Sequence, residues 1–280
     1  MSLVRFHGLT NAKRISQVKL TVLGKSPAWE DTGGACSGYL IEEGETSLLL
    51  ECGNGVFGKL RSHLTDYSML DGVLISHLHA DHWLDLIPFS YALNYSPRRA
   101  HSGEMPIAGS GGPALWGPPG SAEAYGRVTG AWGSEELLAS AFEIDEYSVD
   151  GEVRIGSLTA TFQPVPHYIE TFAISLTGTA GSRIVHGADC RPNDELIEFA
   201  KGAELLIVEA TLAEQGDEPE EERGHMTARE AGDLARSAGV QAVMITHFSD
   251  ELDPAEVRSE AEAGFGSEVV LASEGETVEV

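Results

Sequence analysis

The stretch Ile75-Ser76-His77-Leu78-His79-Ala80-Asp81-His82 places three imidazoles and a carboxylate within six positions, directly after the apolar run 73–75. Imidazole nitrogen and carboxylate oxygen are the donors used by zinc and similar divalent ions. On a loop that leaves a buried strand and enters a helix, residues two apart, such as His77 and His79, point into one pocket. The adjacent Asp81 and His82 then turn toward a second ion. Asp81 is followed by Trp83-Leu84, an expensive neighbourhood for a charge without a partner. One histidine in such a place reads as an ordinary core or surface residue; three at this spacing read as a metal site.

Further candidates lie downstream. His167 closes Pro164-Val165-Pro166-His167 just past an apolar strand, Asp189 follows Ile184-Val185-His186-Gly187-Ala188, and His247 follows Val243-Met244-Ile245-Thr246. Ligands of α/β sheets bind outside the carboxyl ends of the strands, so these three residues complete two coordination shells with the upstream cluster. His225 stands just before Thr227, at an expected helix start, where the dipole favours anions. It is suited to bond a phosphate oxygen or to protonate a leaving group. His186 reads as a strand residue, and His7, His63 and His101 have no supporting context.

Short apolar runs at 18–23, 47–50, 73–75, 171–176, 183–185, 205–208, 242–245 and 269–271 read as strands. Several are continuous rather than alternating, the mark of sheets covered on both faces. Thr227-Ala228-Arg229-Glu230 is a capping box opening a helix to Ala238, with Gly239 just beyond it. Asp253-Pro254-Ala255-Glu256 opens another, and Asn193 caps one that ends before Gly202. Strands and helices interleave throughout, so the class is α/β. Residues 101–133, with Gly109-Ser110-Gly111-Gly112 and Trp116-Gly117-Pro118-Pro119-Gly120, read as loops around short elements that rim the site. Residues 213–223, with Glu220-Glu221-Glu222, read as a solvated charged loop.

The 280 residues are expected to form a single domain, 1–280. No apolar run approaches the roughly 20 residues needed to span a bilayer, and residues 1–14 lack the apolar core of a secretory signal. The expectation is a cytoplasmic protein with no membrane partner. Cys36, Cys52 and Cys190 form neither a metal spacing nor a disulfide framework. Eighteen Lys and Arg face 44 Asp and Glu, a net charge of -26. Binding to a nucleic-acid backbone leaves a basic footprint, so large nucleic acid is disfavoured as a partner; a local basic patch would centre on Arg98 and Arg99.

The ordered set His77, His79, Asp81, His82, His167, Asp189 and His247 resembles the metal motifs of the metallo-β-lactamase superfamily over nearly the whole chain. The resemblance implies a four-layer αββα sandwich of two mixed β-sheets flanked by helices. It also implies two divalent ions, most naturally Zn²⁺ for so nitrogen-rich a set, with Mn²⁺ or Fe²⁺ as alternatives. His77, His79 and His167 resemble ligands of one ion, Asp81, His82 and His247 ligands of the other, and Asp189 the bridge.

Val208-Glu209-Ala210-Thr211-Leu212, Gly224-His225-Met226-Thr227-Ala228 and Ile245-Thr246-His247-Phe248-Ser249 are similar to the ribonuclease Z branch, as are Val22-Leu23-Gly24 and Leu50-Glu51-Cys52-Gly53-Asn54-Gly55. The chain departs from that branch at Glu51, usually Asp, and at Val208, usually His. The 21 residues between His167 and Asp189 leave no room for the long RNA-gripping arm. In length, in lacking the arm and in Ala35-Cys36-Ser37-Gly38-Tyr39-Leu40, the chain looks closer to the atypical bacterial cyclic-nucleotide phosphodiesterases.

The activity expected from this resemblance is hydrolysis of small phosphodiesters by a hydroxide bridging two ions. Asp81, His225 and Glu209 are the candidate catalytic residues, with Glu209 orienting His225 and Glu51 holding a ligand imidazole in its tautomer. Transfer-RNA 3′ processing, hydrolysis of esters, thioesters or lactones, and a non-catalytic metal-binding role are the alternatives, and a homodimer is the expected assembly.

Overall fold

The computed structural model describes residues 3–4, 17–97, 112–216, 219 and 222–280. Two mixed sheets stack face to face. The first contains β1 (Leu3–Val4), β2 (Lys19–Gly24), β3 (Gly38–Glu43), β4 (Thr46–Leu50), β5 (Gly72–Leu74), β6 (Ala114–Gly117), β7 (Glu143–Glu146) and the returning β15 (Thr277–Glu279), in the order β1-β15-β2-β3-β4-β5-β6-β7. The second contains β8 (Val153–Ile155), β9 (Leu158–Val165), β10 (Thr171–Thr177), β11 (Arg183–His186), β12 (Leu205–Glu209), β13 (Ala242–Thr246) and β14 (Val270–Leu271), in the order β14-β13-β12-β11-β10-β9-β8. In both, antiparallel pairings give way to a run of parallel ones, from β4 onward in the first sheet and from β11 onward in the second.

The continuous apolar runs are explained by burial on both sides. Successive strand residues point to opposite faces. In β12, Leu205 and Ile207 enter the layer between the sheets, while Leu206 and Val208 face the helices outside. In β4, Leu48 and Leu50 face inward and Leu49 outward. The helices covering the first sheet include α1 (Val56–His63), α2 (Ala80–Trp83), α3 (Leu86–Tyr95) and α4 (Ser121–Thr129); the second carries α5 (Asp194–Ala200), α6 (Ala228–Ala238) and α7 (Pro254–Phe265). Three apolar layers between four structural layers make the expected αββα sandwich.

The caps lie where the sequence puts them. Thr227 and Glu230 form the full capping box of α6, which ends at left-handed Gly239; Asn193 caps α5 and Asp253 caps α7, with Pro254 in its first turn. Gly232 and Gly264 lie where α6 and α7 touch, and a methyl on either would strike the other helix's backbone. Residues 101–133 need correction. From residue 112 onward, β6 lies inside the first sheet and α4 follows it, so this stretch is framework as much as rim. Gly109, Ser110 and Gly111, like Arg98, Arg99, His7, His101, Glu220 and Glu221, lie outside the described residues. All three cysteines are free and buried. Among the described residues, no helix is long and apolar enough to cross a membrane.

Candidate metal centre

Most side chains of the centre come from the carboxyl end of a strand or the segment just beyond. Glu51 follows β4, the segment 75–82 follows β5, His167 follows β9, Asp189 follows β11, Glu209 closes β12 and His247 follows β13. His79 occupies the N-cap position of α2, so His77 and His79 lie on the approach while Asp81 and His82 fall in its single turn. Glu51, Ala188 and His247 have left-handed backbones, with φ of 62°, 54° and 53°, and no other non-glycine among the described residues does. Such conformations cost about 1–3 kcal/mol each and persist only where the surroundings over-determine them. Here all three adjoin or belong to one cluster.

The seven proposed donors fall into two nests that share Asp189: His77, His79, His167 and Asp189, then Asp81, His82, Asp189 and His247; Glu209, His225 and His247 make a further group beside them. In the first, His77 Nε2 lies 3.2 Å from His79 Nδ1, which lies 3.0 Å from His167 Nε2, and Asp189 Oδ2 is 3.8 Å from His77 Nε2. In the second, His82 Nε2 lies 3.4 Å from both Asp81 Oδ2 and Asp189 Oδ2, while His247 Nε2 lies 3.2 Å and 3.5 Å from them. Tetrahedral ligands about 2.0–2.1 Å from an ion stand about 3.4 Å apart, and these separations bracket that spacing.

Hydrogen bonds at the far side of the rings fix which nitrogens are bare. His167 Nδ1 lies 2.7 Å from the carbonyl oxygen of Gly224, which can only accept, so Nδ1–H donates and Nε2 faces the nest without a proton. Thr211 Oγ1 donates to the carbonyl of His247 at 3.0 Å and therefore accepts from His247 Nδ1–H at 2.8 Å, leaving Nε2 bare toward two carboxylates. Both ring nitrogens of His82, wholly buried, lack hydrogen-bond partners. Lone pairs facing lone pairs and carboxylates repel unless a cation lies among them. The donor set fits divalent ions on that ground.

Charge follows the same layout. Burial would raise the carboxyl of Asp189, yet the imidazoles of His247 and His82 beside it hold it well below the usual range. Burial would raise Asp81 too, but the adjacent imidazoles of His247 and His82 hold it down. Burial pushes His77 far down, and His167 down to about 4, so both favour the neutral, ligating form. His82 goes the other way: despite burial, Asp189, Asp81 and Glu51 raise it. Glu51, buried yet lowered to about 2, receives the Ser76 N–H at 3.2 Å and lies 3.2 Å from His186 Nε2 and 3.7 Å from His82 Nδ1.

His225 stands beside both nests, its ring 4.9 Å from His167 and 5.9 Å from His247. Its Nδ1 lies 2.8 Å from Glu209 Oε1. Burial lowers the His225 pKa, but Glu209 outweighs it and the net shift is upward. The structure thus brings together Glu51, Glu209, His225 and the seven proposed donors. His63, at the end of α1, stands outside both nests. Sequence reasoning passed over Thr211, Gly224, Ser76 and the contact of His186 with Glu51. Thr211 alone had a signal, a hydroxyl two residues beyond the strand-end Glu209.

A family model described as "Beta-lactamase superfamily domain" matches residues 46–248. An uncharacterised protein of Mycobacterium tuberculosis is 31% identical over 95% of this chain and 93% of its own length. "Probable metallo-hydrolase YhfI" of Bacillus subtilis is 29% identical over 92% of this chain and 98% of its own length. The crystal structure of YhfI, a metallo-β-lactamase fold protein, superposes with a TM-score of 0.80 at 28% identity, covering 94% of this chain and 100% of that one. Human tRNase Z, short form, shares the fold with a TM-score of 0.67 at 21% identity, covering 92% and 98% of the two chains.

Proposed function

This chain belongs to the metallo-β-lactamase superfamily, and on that premise we propose that it is a hydrolase of small phosphodiesters working with two divalent cations. The observation that carries the reading is the pair of nests sharing Asp189, with bare ring nitrogens of His167 and His247 turned inward. His77, His79 and His167 would hold one cation, Asp81, His82 and His247 the other, and Asp189 both. Bound cations supply a nucleophilic water at neutral pH and neutralise charge on a phosphoryl group.

The remaining work falls to the chain. Thr211 and Gly224 orient the rings of His247 and His167 by hydrogen bonds, and Glu51, 3.7 Å from His82 Nδ1, faces the third ring as a charge partner. His225, whose Nδ1 is engaged by Glu209, keeps Nε2 for a proton, which it delivers to the departing oxygen. Four carboxylates, Asp81, Asp189, Glu51 and Glu209, offset two divalent charges, and protonated His225 offsets the nucleophilic hydroxide. Two cations and an acid at one phosphoryl group suit the chemistry of a diester. The net charge of -26 disfavours a long polyanion such as precursor tRNA.

The test is metal analysis of the purified chain, then assay of the loaded protein on bis-p-nitrophenyl phosphate, cyclic AMP, p-nitrophenyl acetate and precursor tRNA. Two equivalents of cation and turnover of the small diesters are expected. His79→Ala should lose cation and activity while keeping its circular dichroism spectrum. Failure to take up zinc, or turnover of the acetate alone, overturns the proposal.

A further inference from the structure

Tyr168 follows His167 directly, yet its side chain is 58% exposed. Its ring centroid lies 5.0 Å from that of His167 and 5.7 Å from that of His225. A large aromatic surface thus stands open to solvent at the lip of an otherwise polar, buried centre. Its position is set by Gly224. A β-carbon there would lie 2.5 Å, 2.6 Å and 2.7 Å from Cε2, Cδ2 and Cζ of the ring, so the ring rests on a backbone that only glycine leaves clear.

The loop beneath it is pinned on both sides. His167 Nδ1–H donates to the carbonyl of Gly224 at 2.7 Å. Thr171 bridges His77, Phe172 N–H donates to Ser76 O at 3.3 Å, and Thr171 Oγ1 donates to Ile169 O at 3.0 Å. Ile169, the next residue, is 38% exposed. A rigid ring with two rotatable bonds loses little entropy when something lies against it.

We infer that Tyr168 is a specificity-determining residue of this site, its open ring stacking on a planar group attached to the substrate phosphoryl, a nucleobase or an aryl ester. The inference rests on the phosphodiesterase reading above and adds how one substituent is held. A group stacked on this ring stays beside His225, where the departing oxygen is protonated, so stacking contributes to alignment as well as affinity. Stacking of a base on an aromatic side chain is worth about 5- to 150-fold in binding.

The experiment measures dissociation constants of AMP and ribose 5-phosphate by equilibrium dialysis with the metal-loaded chain, in wild type, Tyr168→Ala and Tyr168→Phe. Wild type is expected to prefer AMP by about 5- to 150-fold. That ratio should fall toward unity in Tyr168→Ala and persist in Tyr168→Phe. Tyr168→Leu, which keeps apolar bulk without a flat ring, gives the same comparison if the alanine chain does not accumulate. Equal affinities in wild type, or a preference that survives Tyr168→Ala and Tyr168→Leu, overturns the inference while diester hydrolysis stands. Binding of neither phosphate, with no diester hydrolysis, overturns the functional reading and this inference together.

Discussion

Glu209→Gln isolates what one buried charge contributes at the edge of the centre. The carboxylate is 1% exposed and accepts four N–H groups. One oxygen takes Cys190 N–H at 2.9 Å and His225 Nδ1–H at 2.8 Å; the other takes Thr211 N–H at 3.2 Å and Met226 N–H at 3.4 Å. Glutamine keeps one acceptor oxygen and turns an NH₂ toward the second pair of donors. The less costly orientation gives up the longer pair, Thr211 and Met226. Bonds to a charged group are worth about 1.5–3 kcal/mol each, and the lower figure suits these long ones, so the loss is about 3 kcal/mol. At about 2–4 °C per kcal/mol for a chain of this size, Tm should fall by about 6–12 °C in a circular dichroism melt.

The same variant has a second readout. Burial lowers the His225 pKa and Glu209 raises it beyond that loss. Without the charge, His225 gives up its proton at lower pH, so the alkaline limb of the pH–rate profile moves down. The sign for stability follows from the raised folded pKa. The interaction is fully present below the unfolded histidine value and fades as pH climbs through the folded one. The Tm gap between wild type and variant should therefore narrow at alkaline pH. A drop below about 2 °C, together with an unmoved alkaline limb, would refute the reasoning.

Other predictions concern the frame. Thr227→Ala removes the side-chain half of the α6 capping box, leaving the backbone N–H of residue 227 on Glu230, and should cost about 1 kcal/mol, seen as a Tm lower by about 2–4 °C. Gly232→Ala drives a methyl into the backbone of α7 at Ala261 and Phe265, and a denaturant melt should show a loss of about 1–3 kcal/mol. Burial raises the Glu230 carboxyl, but Arg223 and Thr227 bring it below its ordinary value. Its contribution is present above the ordinary value of 4.5 and lost as pH falls through the depressed one, so Glu230→Gln should flatten the acid side of a Tm-against-pH curve.

Much of this was legible in the chain because local chemistry wrote it. Thr227, Asn193 and Asp253 announce their helices through side chains that bond within three residues. The runs in β12 and β13 are continuous because both faces are buried. What failed to show depends on distant partners. β9 reads as an apolar strand before His167, but without bounds, because Leu158, Ala160, Phe162 and Val165 alternate only weakly with more exposed neighbours and Pro164 cuts the pattern. β7, Glu143–Glu146, is an acidic sheet edge with Ile144 as its one apolar residue, too little to mark a strand. β6 hides among glycines and prolines and owes its place to pairing with β5 and β7. His186 was readable as a strand residue, but its reach across to Glu51, on the other sheet, exists only once the sheets have stacked. Thr211 and His247, 36 positions apart, are joined the same way.

The two nests draw on both sheets, and this has a consequence for a chain emerging from a ribosome. His77, His79, Asp81 and His82 leave the exit tunnel with the first sheet, long before His167, Asp189 and His247. Until Asp189 has followed β11 both nests are incomplete, and until β13 has been made and laid beside β12 the second still lacks His247, so any ion caught early is held by a partial and exposed set. Selectivity for a cation is thereby deferred to nearly the end of synthesis, when the newborn protein can choose with all its donors in hand.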